Sequence, residues 1–418
     1  MKKLALISIF LFIQFFWKGE GAEILAQVLY NNGGLIFSSN DTIFANGGIS
    51  NVADGLGGQG TFRNSGQVYF TEDWTNSAGN AAFTNVVGTD GASAITCYMI
   101  GGNQSITGDD VTEFHNLRLR GTGGIKQLVA VNAIVHDTLD LSTFELATGA
   151  NRLFVTNTDP NAIEFVNGSG YVSSLDGGWL ARNTNSPVRY MFPVGSSVGQ
   201  FRYRPVEIGP VDNFPNQYAV RMANVDPTTE GYPITQRQAT ISRVNEYYYH
   251  QITRESGLSP ASITIYYDAA ADGPVTGIGH WQNAPQWEDI VSNPDASNYG
   301  LTATTRAAWD FLTYPSPAFA LMKLINECGE MFVPTAFSPD GNGENDMECV
   351  YGKCVKDIYF AIYDRWGEKV FETYDISQCW DGTFRGRQMN TAVFVYYMKA
   401  TLITGDEVVK KGNISLFR

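Results

Sequence analysis

The chain has 418 residues, enough for several domains, and carries a formal net charge of −14. This charge excludes nucleic acid and anionic membrane surfaces as main partners, because both require clustered cations. Only 17% of the residues are charged and 43 are glycine, a balance that favours short strands and tight turns. We therefore expect an all-β, multi-domain protein with almost no helix after residue 26.

Residues 1–26 have the pattern of a secretory signal peptide. Two lysines precede an apolar run over residues 4–17, which is too short for a comfortable membrane span. Small and aliphatic residues favour cleavage after Ala26, with Gly21 as the second choice. No later segment is apolar enough for a transmembrane anchor, so we expect a soluble mature chain that passes through the periplasm.

Residues 27–150 form a glycine-punctuated, repeat-like region. Turn signals such as Asn32-Gly33-Gly34 and Asn46-Gly47-Gly48 alternate with short apolar stretches. This pattern predicts stacked β-rungs, either a parallel β-solenoid or a flattened sandwich. Cys97 stands alone in this region, and we expect it to remain a free thiol.

Residues 151–326 have a different pattern, with more prolines and with apolar alternation over 217–222 and 262–267. Alternation of this kind predicts a β-sandwich whose prolines mark loops or strand ends. The composition changes again near Cys328, where we place the boundary to a last domain, residues 327–418.

Several motifs follow one another in that last domain, over residues 333–346, 362–367, 379–382 and 412–418. In this order they resemble the gliding-motility-associated C-terminal domain family, the type B sorting signal of the type IX secretion system. The positions that match the family pattern are Phe337, Pro339, Gly341, Gly343, Asn345, Asp346, Arg365, Trp366, Gly367, Trp380, Asp381, Gly382, Gly412 and Arg418.

The resemblance implies an immunoglobulin-like β-sandwich of about seven strands, in which Trp366 and Trp380 anchor the core or turns. It also implies recognition by the type IX translocon and its outer-membrane partners, and a secreted or cell-surface location. The chain departs from the family at Ala392, where glycine is common, and in the order of Asp340 and Asn342, which are exchanged.

Four cysteines lie in or beside this domain: Cys328, Cys349, Cys354 and Cys379. In an exported protein such a cluster favours disulfides over a metal site. All three pairings remain open. A bond between Cys349 and Cys354 is possible if residues 351–353 form a turn, and it would leave Cys328 for Cys379.

A possible calcium site consists of oxygen-bearing side chains at alternate positions: Asp340, Asn342, Glu344 and Asp346. The bidentate acid that should follow in a calcium loop is missing, since Tyr351 stands there. A turn stabilised by Asp and Asn side chains is therefore the favoured interpretation, and no other cofactor is expected.

Catalytic patterns are weak. Residues 55–60 satisfy GxGxxG and Ser197 lies in a GxSxG, but neither has the strand-to-helix context that these motifs require. The four histidines, at positions 115, 136, 250 and 280, form no metal or catalytic spacing. No carboxylate pair stands out for glycoside hydrolysis, so we do not expect an enzyme.

Aromatic residues in the middle region offer one further candidate, a sugar-stacking platform from Trp281, Trp287 and residues 247–249. In a β-sandwich such residues belong more often to the core, which we favour. The sequence therefore predicts an exported structural or adhesion protein. The alternatives are a carbohydrate-binding surface protein, with a surface polysaccharide as partner, and a secreted polysaccharide hydrolase.

Overall fold

A computed structural model describes residues 24–26, 29–38, 42–64, 66–79, 82–83, 95–282, 284–324, 331–402 and 405–418. Contacts divide the chain into two units, Met1–Leu324 and Ile325–Arg418. Only the turns Pro227–Glu230 and Ala269–Asp272 are helical in the described ranges, which confirms the all-β prediction. Neither turn has the length or the apolar composition of a membrane-spanning helix.

The larger unit begins with a parallel β-solenoid. Two seven-stranded parallel sheets run along it, and shorter parallel ladders form a third side. Its strands are β1 (Ile24–Ala26), β2 (Leu29–Asn32), β3 (Leu35–Ser38), β4 (Thr42–Ala45), β5 (Ile49–Val52), β6 (Thr61–Asn64), β7 (Gln67–Phe70), β8 (Trp74–Ser77), β9 (Thr96–Met99), β10 (Gln104–Gly108), β11 (Thr112–Phe114), β12 (Asn116–Leu119), β13 (Lys126–Leu128), β14 (Ala133–Val135), β15 (Leu139–Ser142), β16 (Glu145–Ala147), β17 (Arg152–Val155), β18 (Ile163–Phe165), β19 (Tyr171–Ser173) and β20 (Trp179–Thr184). Of the two predicted alternatives, the solenoid is therefore the one observed.

Most of the predicted signal peptide lies outside the described residues. Its last segment, β1, pairs in parallel with β4, placing Ile24 beside Ile43. Cleavage after Gly21 would keep this strand in the first coil, whereas cleavage after Ala26 would remove it.

The solenoid interior combines an apolar core with a ladder of asparagines. Val68, Phe70 and Trp74 are fully buried because alternate strand residues face inward. At one corner the Asn31 amide donates to Asn51 Oδ1 over 2.8 Å, and the Asn51 amide donates to Asn76 Oδ1 over 3.1 Å. These buried side chains lie in β2, β5 and β8 and bond to one another from coil to coil.

The parallel ladder continues beyond residue 150, where the sequence predicted the repeat-like region to end. Strand β17 pairs with β20 in parallel, with Leu153 beside Leu180. Strand β20 then pairs antiparallel with Asn216–Ala223, so one sheet joins the solenoid to the region that follows.

That region is built from antiparallel strands: β21 (Tyr190–Phe192), β22 (Gly195–Ser196), β23 (Arg202–Tyr203), β24 (Val206–Pro210), β25 (Asn216–Ala223), β26 (Ile241–Val244), β27 (Tyr249–Ser256), β28 (Ala261–Tyr267), β29 (Gly277–Trp281), β30 (Trp287–Asp289), β31 (Asn293–Asn298), β32 (Leu301–Trp309) and β33 (Ala318–Leu324). One sheet includes β25, β27 and β33, and a second orders β21-β24-β28-β32-β31. Val220 and Ile252 of the first sheet share a core with Ile208 and Ile263 of the second. This sandwich-like packing agrees with the pattern of alternation.

The smaller unit contains β34 (Ala336–Phe337), β35 (Val355–Tyr363), β36 (Lys369–Thr373), β37 (Thr383–Phe384), β38 (Arg387–Gln388), β39 (Ala392–Leu402) and β40 (Glu407–Leu416). Five of them form a sheet in the order β34-β40-β39-β35-β36, and β37 and β38 form a hairpin. The inward residues Phe360, Met398 and Ile414 are fully buried in its own core. An immunoglobulin-like classification remains a prediction.

Candidate functional site

The predicted sorting-domain residues meet mainly at one end of the smaller unit. Strand β34 pairs in parallel with the end of β40, placing Phe337 beside Leu416. The buried Phe337 ring lies 5.3 Å from that of Trp380, which in turn contacts the Phe394 ring at 4.9 Å. Motif residues far apart in sequence therefore share one aromatic core.

The segment that follows Trp380 is a tight turn. The Trp380 indole donates to the Thr383 carbonyl over 2.8 Å, and Asp381 Oδ1 accepts the Thr383 N–H over 2.9 Å. Gly382 has a φ of +76°, and a Cβ there would lie 2.9 Å from Leu416 Cδ1. Both the backbone conformation and the close packing require glycine at this position.

Arg418 ties these segments together. Its guanidinium donates to the carbonyls of Met389 over 2.9 Å and Gly382 over 3.2 Å, with a longer contact of 3.5 Å to that of Pro339. Gly412 serves packing instead, since a Cβ there would lie 2.8 Å from the Tyr396 ring. Phe337, Pro339, Gly382 and Arg418 thus contact one another at one place in the fold.

The candidate calcium loop is organised by its own side chains. Asp346 accepts the N–H groups of Gly341 over 2.7 Å and Gly343 over 2.8 Å, one at each carboxylate oxygen. Asp340 accepts the Asn342 N–H, and Asn342 accepts the Glu344 N–H. In the described part of the chain, no three His, Cys, Asp or Glu residues cluster to hold a metal ion. This geometry supports the turn interpretation, while calcium binding stays a prediction.

A second group of motif residues lies in the turn between β35 and β36. Asp364 Oδ1 accepts the N–H groups of Trp366 over 2.8 Å and Glu368 over 2.9 Å. Gly367 has a φ of +81°, as the turn demands. Trp366 is 81% exposed, so it is a residue of the turn and takes no part in the core.

A disulfide joins Cys349 to Cys379, so the suggested Cys349–Cys354 bond is wrong. The reason is an antiparallel bridge in which Glu348 and Trp380 exchange backbone hydrogen bonds of 2.8 and 2.9 Å. This bridge places the neighbouring cysteines opposite each other, with their Cα atoms 4.5 Å apart. Cys354 is also disulfide-bonded. Cys328 lies outside the described residues, and Cys97 is a buried free thiol as predicted.

Glu348 is a buried acid that the sequence analysis did not single out. It is fully buried, and neither carboxylate oxygen has a hydrogen-bond partner. Burial raises the pKa of Glu348 from its usual 4.5 to about 8, so the carboxyl is protonated at neutral pH. The alternation that buries Val350 could have revealed it, because Glu348 occupies the preceding inward position.

The rejected catalytic motifs lie in turns. Residues 55–60 are followed by strand β6, with Asp54 accepting the N–H groups of Leu56 and Gly58. Ser197 lies in the loop between β22 and β23, which pair as an antiparallel hairpin. Neither segment has the strand-to-helix geometry of a dinucleotide site or a nucleophile elbow.

The histidines do not converge on one point. His250 and His280 are buried, and each donates from Nε2 to a backbone carbonyl, that of Arg204 or Ser316. Burial lowers the pKa of both rings to about 4. The Nε2 atom of His115 lies 3.8 Å from Asp137 Oδ2. The Nε2 atom of His136 lies 2.6 Å from Oε2 of Glu113, which belongs to a neighbouring rung.

The aromatic platform is also absent from the place considered. Trp287, Tyr248 and Tyr249 are fully buried and Trp281 is 9% exposed, whereas Tyr247 is 45% exposed. Apart from Tyr247, these residues are therefore core, as favoured from the sequence.

Comparison with known proteins assigns the smaller unit. No curated protein matches the chain. Residues 331–416 match the model of the CHU_C type IX secretion signal domain, the stretch that contains the disulfide and all but the last of the matching motif positions. The resemblance found in the sequence is thereby confirmed, and the chain carries a type IX secretion signal domain that directs its export to the cell surface or beyond.

Proposed function

We propose that the larger unit works outside the cell as a non-enzymatic structural or adhesion protein. The smaller unit of the chain is recognised by the translocon and its outer-membrane partners. The protein requires no cofactor. The signal domain defines the route of delivery, so the role of the cargo has to be argued from the larger unit itself.

The observation that carries this proposal is the continuous solenoid. Its apolar core and the Asn31–Asn51–Asn76 ladder repeat from coil to coil, so each coil supports its neighbours. Such stacked repeats make a stiff, elongated scaffold with large lateral surfaces, which suits attachment better than turnover. The burial of His250 and His280 supports the same view, since neither ring is placed for proton transfer at neutral pH.

A second candidate is carbohydrate binding, favoured by a groove of about 680 Å³ along the solenoid. Glu145, 8% exposed, accepts a hydrogen bond of 3.0 Å from the Tyr171 hydroxyl. Phe201 is 53% exposed, and its ring lies 5.8 Å from that of Tyr171. An acid held in place beside an open aromatic ring suits a neutral, hydroxyl-rich ligand, because hydroxyl groups donate to the acid while the sugar ring packs on Phe201.

Attachment assays test the main proposal. Cells that lack the protein should adhere less to a surface, and the full chain supplied from a plasmid should restore adhesion. Purified full chain should release no sugars from surface polysaccharides. Measurable hydrolysis, or unchanged adhesion of the deletion strain, would contradict the proposal.

Polysaccharide pull-down with the purified chain separates the two candidates. If sugar binding occurs in the groove, Glu145→Gln and Phe201→Ala should each weaken retention. Phe214→Ala is the matched control, because this aromatic is 70% exposed elsewhere on the same unit. If the polysaccharide does not retain the unaltered chain, carbohydrate binding is ruled out and only the structural role remains.

A further inference from the structure

A groove of about 870 Å³ on the smaller unit separates the turn of residues 364–368 from the β37–β38 hairpin. We call it the Trp366 groove; its walls carry Trp366, Arg365, Arg385 and Arg387. Trp366 is 81% exposed, an unusual state for the residue type that most often anchors protein interfaces. The exposure therefore needs an explanation.

The turn fixes the backbone at Trp366. Asp364 Oδ1 accepts the N–H groups of Trp366 and Glu368, and the Gly367 N–H donates to the Asp364 carbonyl over 3.0 Å. A side chain on such a turn loses little further backbone freedom when a partner binds. The arrangement is preorganised for recognition.

The opposite wall is equally well defined. Arg385 and Gly386 have φ values of +49° and +75°, the left-handed conformation of a two-residue hairpin turn. Arg385 pairs with Glu368 over 3.0 Å, which connects the two hairpins across the groove. The groove is therefore bounded by two linked turns.

Its charge identifies the kind of partner. Arg365 lies over the Trp366 ring at 5.1 Å. In the ranges that the structure describes, neither Arg365 nor Arg387 has a carboxylate partner, whereas the carboxylates of Asp364 and Glu368 are both engaged. On a chain whose net charge is −14, two unpaired arginines beside an open tryptophan are complementary to an acidic peptide with an apolar side chain.

We propose that the Trp366 groove is the surface by which the secretion machinery recognises this signal domain, and that it binds an acidic, apolar-tipped peptide segment of a machinery component. The inference rests on the type IX delivery of the protein. The apolar side chain packs on the Trp366 ring, and the acidic groups pair with Arg365 and Arg387. The aromatic core around Trp380 then serves to position this surface.

Export of full-length variants in the producing organism tests the proposal. Trp366→Ala and Arg387→Glu should each reduce surface and secreted protein roughly tenfold, as loss of an interface hot spot would, with folded protein accumulating in the periplasm. The controls are Tyr374→Ala and Lys411→Glu, since Tyr374 is 73% exposed and Lys411 is exposed. Tyr374 directly follows β36 and Lys411 lies on β40, and neither lines the groove. Both controls should be exported normally.

Arg387→Glu changes an exposed side chain only, so it keeps the test valid if Trp366→Ala fails to fold. One outcome would overturn the proposed role of the groove and leave the sorting role intact. In that outcome both groove variants are exported normally, while a chain lacking residues 331–418 stays in the periplasm. The proposal would also be overturned if the unaltered chain is a dimer and the groove variants are monomers that are exported normally. The groove would then bind a second copy of the chain. Export of the truncated chain would instead contradict the sorting role.

Discussion

Glu348 makes the stability of the smaller unit depend on pH. In the folded chain the carboxyl keeps its proton up to about pH 8, while in the unfolded chain it loses the proton near 4.5. The unfolded state is therefore favoured progressively as pH rises from 4.5 to 8, and the effect levels off above 8. The whole shift in the pKa of Glu348 corresponds to a decrease of at most about 5 kcal/mol in the free energy of unfolding.

Glu348→Gln should remove this pH dependence, because the amide resembles the protonated acid and does not ionise. We expect the variant to be more stable than the parent at pH 8 and nearly equal at pH 4.5. Hydrogen–deuterium exchange of peptides from residues 331–402 measures the local stability. Glu344→Gln is the control, since Glu344 is exposed; equal pH dependence in all three proteins would refute the prediction.

A single side chain, that of Asp346, organises the candidate calcium loop. Asp346→Ala removes two acceptors of backbone N–H groups and should destabilise the unit by about 1–2 kcal/mol. We expect this loss with and without a calcium chelator, because the turn is closed by its own hydrogen bonds. A lower melting temperature of the unaltered chain on chelation would instead establish the calcium site at Asp340, Asn342, Glu344 and Asp346.

At the scale of elements, the Cys349–Cys379 bond closes a loop with a sequence separation of 30. A closed loop of this length stabilises a fold by about 3–4 kcal/mol in the chain-entropy model. Cys379→Ser should therefore lower the melting temperature of the smaller unit, and Cys97→Ser should leave it unchanged. Mass spectrometry after thiol labelling checks the bond; labelling of Cys349 in the native exported protein would contradict it.

The asparagine ladder gives a prediction for the solenoid. Asn51 donates to Asn76 and to the Gly60 carbonyl, and it accepts from Asn31. Asn51→Ala removes these three hydrogen bonds from the buried interior, so we expect a loss of roughly 2–4 kcal/mol. Chemical denaturation measures it, with Ser50→Ala, the less buried neighbour, as control. Equal stability of the two variants would show that the ladder contributes little.

The turns of the smaller unit could be predicted from sequence because each is local. Asp381 and Asp364 each accept a hydrogen bond from a backbone N–H two residues later. Gly382 and Gly367 supply the positive φ that each turn needs. The contacts of Arg418 with Gly382 could not be predicted, since they depend on how the end of β40 packs against the turn that follows Trp380. The disulfide partner of Cys349 likewise depends on the bridge between Glu348 and Trp380, which is a tertiary contact.

The same distinction applies to the larger unit. Glycine punctuation indicated stacked rungs, but it could not show that the parallel ladder reaches Arg182. The pairing of residues 152–155 with residues 179–182 depends on how the coil between them folds. The groove beside Glu145 was missed for a similar reason. Its residues come from three coils and from the loop around Ser197, and no local pattern brings them together.

At the scale of the whole molecule, the two units divide delivery from external function. The smaller unit has its own core, its own disulfide and the complete family match, whereas the larger unit carries the solenoid and the sandwich-like sheets. Each unit therefore has the features of an independently folding domain. Removal of the smaller unit should leave the larger one folded.

Fractionation of cells that produce the chain without residues 331–418 tests this account most directly. The truncated protein should cross the inner membrane, fold to a protease-resistant form and accumulate in the periplasm, while the full chain reaches the surface or the medium. Surface display or secretion of the truncated protein at the level of the full chain would contradict the assignment of the C-terminal unit as the signal for export.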